Sequence, residues 1–234
     1  MTGFECNNLG VVLLSGGEVE HALDSFMTAA KLLHPVSKQV QSSCCNHHHM
    51  EDCEHADAGH PHPPVVPAQG FEIPEGIRRI VQQSADSIIT KGKQPADNIF
   101  VCAEPLRLDL AQRLPSDCTL ESAVIVFNMA LAYHLRGNTP SLHRAVFLYD
   151  MAFNLSCTHM ANPQAAHVAM GSLNNAGQIH HTLGDYALSR KYLDTLRVYI
   201  LKLPLAADSR TIEERHQFLL NAVLLRPPTM ASAA

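Results

Sequence analysis

Three separated stretches of this 234-residue chain spell the same short plan, and that plan limits the folds open to it. Each is an apolar-periodic run, a tight turn carrying glycine, and a second apolar-periodic run. Cys6–Leu14 leads through Gly16-Gly17 into Val19–Leu33. Glu121–Leu135 leads through Gly137-Asn138-Thr139-Pro140 into Leu142–Leu155. Pro163–Thr182 leads through Gly184 into Tyr186–Lys202. A further run, Thr211–Leu225, is closed by Pro227-Pro228. Apolar residues at i, i+3, i+4 and i+7 make each run an amphipathic helix. Turns this short fold the two helices of each pair back antiparallel.

The pairs share a register. In the first, Cys6-x2-Leu9-Gly10-x2-Leu13 precedes Ala22-x3-Phe26-x2-Ala29 and Pro35. In the second, Val126-x2-Met129-Ala130-x2-Tyr133 precedes Ala145-x3-Tyr149-x2-Ala152. In the third, Leu173-x2-Ala176-Gly177-x2-His180 precedes Ser189-x3-Leu193-x2-Leu196. Small residues at Gly10, Ala130 and Gly177, and at Ala22, Ala145 and Ser189, let paired helices approach closely while large apolar residues fill the space around them. One such hairpin cannot bury its apolar face alone, so neighbouring hairpins must stack. The pattern resembles the tetratricopeptide repeat family, whose signature W-x2-L-G-x2-Y, A-x3-F, P it follows in degenerate form. The family's Trp is missing from every copy, the second copy has a three-residue turn insertion, and the copies are not contiguous.

The resemblance implies an all-α, α-α superhelical chain of about three hairpins and a C-terminal capping helix. Residues 1–35 are then the first repeat, and residues 119–226 hold the second and third with the cap, ahead of a tail at 227–234. Between them, residues 36–76 are rich in His, Cys and Pro and poor in large apolar residues, the composition of a disordered linker. Residues 77–118 read as an insertion with a short helix over Ile77–Thr90 and a strand-like run over Ile99–Leu110, where Pro105 confines any strand to an edge or a bulge.

Asparagine recurs in the same register: Asn8, Asn128 and Asn175 stand just before the small-residue step, and Asn221 repeats the placement in the last helix. Asparagine is a mediocre helix former, so four in one register require a reason. A side-chain amide offers a donor and an acceptor together, which suits the backbone of an extended peptide of any sequence. The resemblance implies that these first helices line a concave face and that the asparagines bind a partner segment there. Val11, Leu131 and Gln178 one turn on, with Leu14, His134 and His181 beyond, then set specificity. An equal alternative is that each amide bonds its neighbouring repeat and fixes only the geometry of the stack. The face lacks the Lys and Arg residues of a clamp for an acidic C-terminus.

A second candidate is the cluster Cys44, Cys45, His47, His48, His49, Cys53, His55, His60 and His62. Thiolates and imidazoles are zinc and copper ligands, which makes a metal-binding or metal-responsive protein the runner-up. No C-x2-C pair frames a closed tetrahedral site in that cluster, and a low-complexity insertion is the simpler reading. A third possibility is self-association through exposed apolar ends of a short array.

Composition excludes more than it names. A net charge of −5 with scattered Lys and Arg argues against a phosphate-neutralising surface for nucleic acid. No apolar run reaches the ~18 residues of a membrane span. The start carries no basic segment followed by an apolar core, so no secretory signal is read there. Seven Cys in such a chain point to reduced thiols in the cytoplasm or nucleus. None of the common nucleophile, phosphate-loop, dinucleotide or zinc-protease motifs occurs, so no enzyme activity and no cofactor are expected. The expected partner is another protein.

Overall fold

The computed structural model describes residues 1–33, 101–109, 118–202 and 209–225. The His/Cys cluster at 44–62, the helix expected over Ile77–Thr90, the rest of the 36–76 linker and the 227–234 tail lie outside the described residues. Those described fold as seven α-helices: α1 Gly3–Ser15, α2 Val19–Leu32, α3 Thr119–Arg136, α4 Thr139–Ser156, α5 Pro163–Thr182, α6 Tyr186–Lys202 and α7 Ser209–Leu224, with a single 3-10 turn at Cys157–His159. The chain is all-α, and no strand occurs among the described residues. No helix among them is long and apolar enough to cross a membrane.

Local chemistry sets the helix ends. Thr2 opens α1 with a capping box: its hydroxyl accepts from the Glu5 N–H at 3.3 Å, and its own N–H donates to Glu5 Oε2 at 2.7 Å. Asn138 caps α4 by accepting from Ser141 N–H at 2.9 Å, with Pro140 in the first turn, where a missing N–H costs nothing. Gly137 ends α3 in the left-handed region (φ 75°), which a side chain would strain.

The chain forms two compact units. One holds residues 1–33, 103–109 and 118–172; the other holds residues 101–102, 173–202 and 209–225, so the division falls inside α5. In the first unit α1 packs on α2, α2 on α3 and α3 on α4, the arrangement of two stacked hairpins. Its core is Phe26, Phe127, Met129, Leu148, Tyr149 and Phe153, all 2% exposed or less. Arg136 at the end of α3 donates through Nε to Glu20 on α2 at 2.9 Å, tying the hairpins together at the surface. In the second unit α6 packs on α7, and Gly177 of α5 meets α6 at Tyr192 and Leu193.

The small-residue register has a direct physical reason in both units. A Cβ on Gly10 would stand 2.5 Å from Phe26 Cε1, and one on Gly177 would stand 3.0 Å from Leu193 Cγ. Each glycine faces the residue 16 positions later, so the columns read from sequence are contact columns in space.

One expectation needs correction. Residues 101–109, the described part of the run expected as a strand over Ile99–Leu110, have no regular secondary structure. The backbone groups of Cys102, Leu106 and Leu108, and the carbonyl of Arg107, bond to side-chain amides.

Candidate functional site

The asparagines form two clusters of the same design, one per unit. In the first, α1 contributes Asn7 and Asn8 and α3 contributes Asn128. Asn8 closes a pair of bonds on one residue: Leu108 N–H donates to Asn8 Oδ1 at 2.9 Å, and Asn8 Nδ2 donates to Leu108 O at 3.0 Å. Asn128 does the same to Leu106, accepting its N–H at 2.8 Å and donating to its carbonyl at 2.8 Å. In the second unit, Asn175 of α5 accepts from Cys102 N–H at 2.9 Å and donates to Cys102 O at 3.1 Å. Three amides thus each grip the N–H and C=O of a single residue.

A second set of asparagines braces the first. Asn7 Nδ2 donates to Asn8 Oδ1 at 3.2 Å and to Leu106 O at 3.1 Å, while Asn7 Oδ1 accepts from Asn128 Nδ2 at 2.9 Å. Asn174 Nδ2 likewise donates to Asn175 Oδ1 at 3.0 Å, and Asn174 Oδ1 accepts from Asn221 Nδ2 of α7 at 2.7 Å. In each Asn-Asn doublet the second residue grips both backbone groups of one segment residue, and the first joins its helix to the next asparagine-bearing helix, Asn7 also donating to Leu106 O. Asn7, Asn128, Asn174, Asn175 and Asn221 are fully buried, so bonds within the cluster replace water for them.

The gripped segment is the chain's own Val101–Asp109. Both backbone groups of residues 106 and 108 point to the asparagine side, whereas Arg107 O turns the other way and accepts from Gln164 Nε2 at 3.0 Å. Alternation with a period of two is the geometry of an extended chain. Cys102 and Leu108 are buried, Leu106 is half-buried, and Ala103, Glu104, Arg107 and Asp109 are exposed. Pro105, which has no N–H to give, sits between gripped positions.

Other residues read as site candidates are placed as follows. Leu131 is fully buried, and Val11 and Leu14 are buried, so these three belong to the helix interior. Gln178 is half-buried, and its Oε1 has no partner among the described residues. His134 lies with Nδ1 3.3 Å from the Tyr149 hydroxyl, and burial pushes its imidazole down to about 4, so it is neutral at neutral pH. His181 meets the Tyr186 ring edge to face at 5.1 Å. Asn221 bonds Asn174 and thereby joins the bracing set. Two features escaped the sequence reading: the bracing role of Asn7 and Asn174, signalled by the repeated Asn-Asn doublets, and the identity of the held segment. Among the described residues no group of His, Cys, Asp and Glu is placed to hold a metal.

The site defines a class: helical hairpins that hold an unstructured segment through side-chain amides. No protein-family model, curated protein or solved structure matches the chain.

Proposed function

We propose that this chain is a protein-recognition module of tetratricopeptide-like hairpins, an adaptor or scaffold rather than a catalyst, that holds an extended polypeptide by its backbone. One observation carries the reading. Asn8, Asn128 and Asn175 each engage both backbone groups of a single residue, a chemistry that ignores side-chain identity and fits any extended chain. Val101–Asp109 stands in the position of a ligand for these amides.

A second reading also has support. Cys102 and Leu108 are as buried as core residues, at 3% and 5% exposure, which favours a permanent strap that completes the fold. The two readings separate when residues 101–109 are replaced by nine Gly and Ser residues and a fluorescein-labelled synthetic copy of 101–109 is added. Saturable binding, weakened at least tenfold by Asn128→Ala, supports recognition. A variant that keeps its helical signal yet binds no copy refutes it, and a variant that loses its helices points to the strap.

A further inference from the structure

We infer that the site extends past Asn8 onto the exposed face of α1: Val12 and Leu9 form an apolar subsite for the residue two positions after the one Asn8 grips, and the partner is an extended segment that carries leucine or another large apolar residue there. The inference rests on the recognition reading above, adds a place that the described bonds do not use, and lies wholly within the first unit.

The direction of the segment locates the subsite. Successive residues of an α-helix stand about 100° apart. Asn7 donates to Leu106 O, and Asn8 takes both backbone groups of Leu108. The segment thus passes around α1 from Asn7 to Asn8 as it runs from 106 to 108. The same sense leads next to Val12, about 40° past Asn8, and to Leu9, about 100° past it. At a helix radius of about 5 Å those steps are arcs of about 3.5 and 9 Å, and two further residues of an extended chain advance about 6.6 Å.

Burial and phase set the chemistry. With Leu106 and Leu108 held, Leu9 is still 43% exposed and Val12 is 53% exposed. Glu5, Asn8, Leu9 and Val12 stand at i, i+3, i+4 and i+7, so the two apolar side chains share one face with the gripping amide, and the subsite is continuous with its bonds. Side chains alternate along an extended chain. Leu106 and Leu108 are half-buried and buried, whereas Arg107 and Asp109 are exposed. In a partner segment of the same phase, the residue two after the Asn8-gripped one therefore turns to α1. The chain's own sequence carries leucine in that phase, at Leu110.

Fluorescence anisotropy of labelled peptides supplies the test. The host is the full chain with residues 101–109 replaced by Gly and Ser and with Leu110→Ser, so that its own leucine cannot compete. The probes are a fluorescein-labelled copy of residues 103–111 and the same copy with Leu110→Ser. The expected result is an affinity about tenfold higher for the leucine copy, the gain from partly burying one leucine-sized side chain. A copy with Asp109→Leu and Leu110→Ser, which moves the leucine out of phase, should bind like the Leu110→Ser copy. Leu9→Ser/Val12→Ser in the host, at exposed positions, should make the leucine and serine copies equal. Equal affinities in the unsubstituted host, or a difference that survives Leu9→Ser/Val12→Ser, overturn the subsite and leave the recognition reading standing. Self-association of the native chain that disappears with Leu9→Ser/Val12→Ser, with no difference between the copies, assigns the face to a second copy of the chain and likewise overturns it. If the replaced host loses its helices, the same copies are titrated into the native chain with and without Leu9→Ser/Val12→Ser, where the same difference and its loss are expected. Binding of no copy to a folded chain removes both readings.

Discussion

Asn128→Asp changes one atom of the site and tests its donors directly. In the native chain, Asn128 Nδ2 donates to Leu106 O and to Asn7 Oδ1, and Oδ1 accepts from Leu106 N–H. An aspartate keeps the acceptor and loses both donated bonds, worth about 1 kcal/mol each. It also places a carboxylate, at a position with no exposure, against two oxygens. Asn7 cannot readily turn its amide to help, because its Nδ2 is held by Asn8 Oδ1 and Leu106 O. The buried, unpaired charge adds several kcal/mol, so the Asp variant should lose about 5 kcal/mol or more at pH 7. Asn128→Ala, which leaves Leu106 N–H unpaired but buries no charge, should lose about 3 kcal/mol. Acidification separates the two further. The folded-state carboxyl has its pKa raised above the unfolded value of about 3.9, so its penalty is absent below that value and grows as pH rises toward the folded pKa. The Asp variant should therefore gain stability relative to the Ala variant as pH falls from 7 toward 4, ending ahead of it. Urea unfolding of both variants at pH 7 and near pH 4 measures this difference, and other titrating groups cancel because they are common to both. Equal stabilities at both pH values would mean that a carboxylate at this position costs nothing, and would refute the claim that the site is closed to water and lined by acceptors.

Three further outcomes follow from the same geometry. His134, pushed by burial down to about 4 from its ordinary 6.5, stays neutral in the fold while the unfolded chain takes up a proton. Its contribution is thus complete above pH about 6.5 and is lost as pH falls toward about 4, by at most about 3 kcal/mol; His134→Gln should flatten that part of the stability-pH curve. Gly10→Ala drives a Cβ to 2.5 Å from Phe26 Cε1 and should cost about 1–3 kcal/mol by overpacking. Adding Phe26→Leu removes the ring atoms that the new Cβ would meet, so a double-mutant cycle should show a favourable coupling of about 0.5 kcal/mol or more, read by thermal unfolding. Within the second doublet, Asn175→Ala and Asn174→Ala should each lower the melting temperature by several degrees, because each removes bonds at a position with no exposure, but only Asn175→Ala, which lets go of the Cys102 backbone, should speed alkylation of Cys102 beyond what that loss of stability accounts for.

Helices and turns were legible because local chemistry fixes them. The runs Pro163–Thr182 and Tyr186–Lys202 were bounded by Pro163, Gly184 and the apolar period, and the structure places α5 and α6 on those residues. Gly10 and Gly177 were legible as close-approach points because nothing else explains a small residue in a repeated column. Residues 101–109 were harder to read. A period of two records only that one edge and one face are occupied, and it is the same whether a strand or a row of amides occupies the edge. Pro105 ruled out neither, since it falls between gripped positions. Val11 and Leu131 were expected on the binding face by counting one turn from an asparagine, and Leu14 by counting further, but those steps lead into the apolar stripe, and the three are buried. Asn7 and Asn174 were passed over because each stands one residue from the register that defined the search.

The doublets explain how a helix face can hold a backbone without a sheet. A strand partner offers donors and acceptors at a spacing set by its own backbone, whereas helices must first be set at the right distance. Asn7 and Asn174 do this with their acceptors, each taking a bond from the next asparagine-bearing helix, and they spend their donors fixing the orientation of Asn8 and Asn175. In Asn8 and Asn175 the gripping amide has its oxygen shared between that neighbour and the segment, so the neighbour's bond helps to set its rotation. Preorganisation of this kind lowers the ordering cost of holding a flexible chain. On the proposed recognition, phase would be read before side chain: within the first unit, a segment out of step by one residue would present the wrong edge to both Asn8 and Asn128. Bonds that admit many sequences would then reject most registers, and the enclosed position at Leu108 would narrow the choice from there.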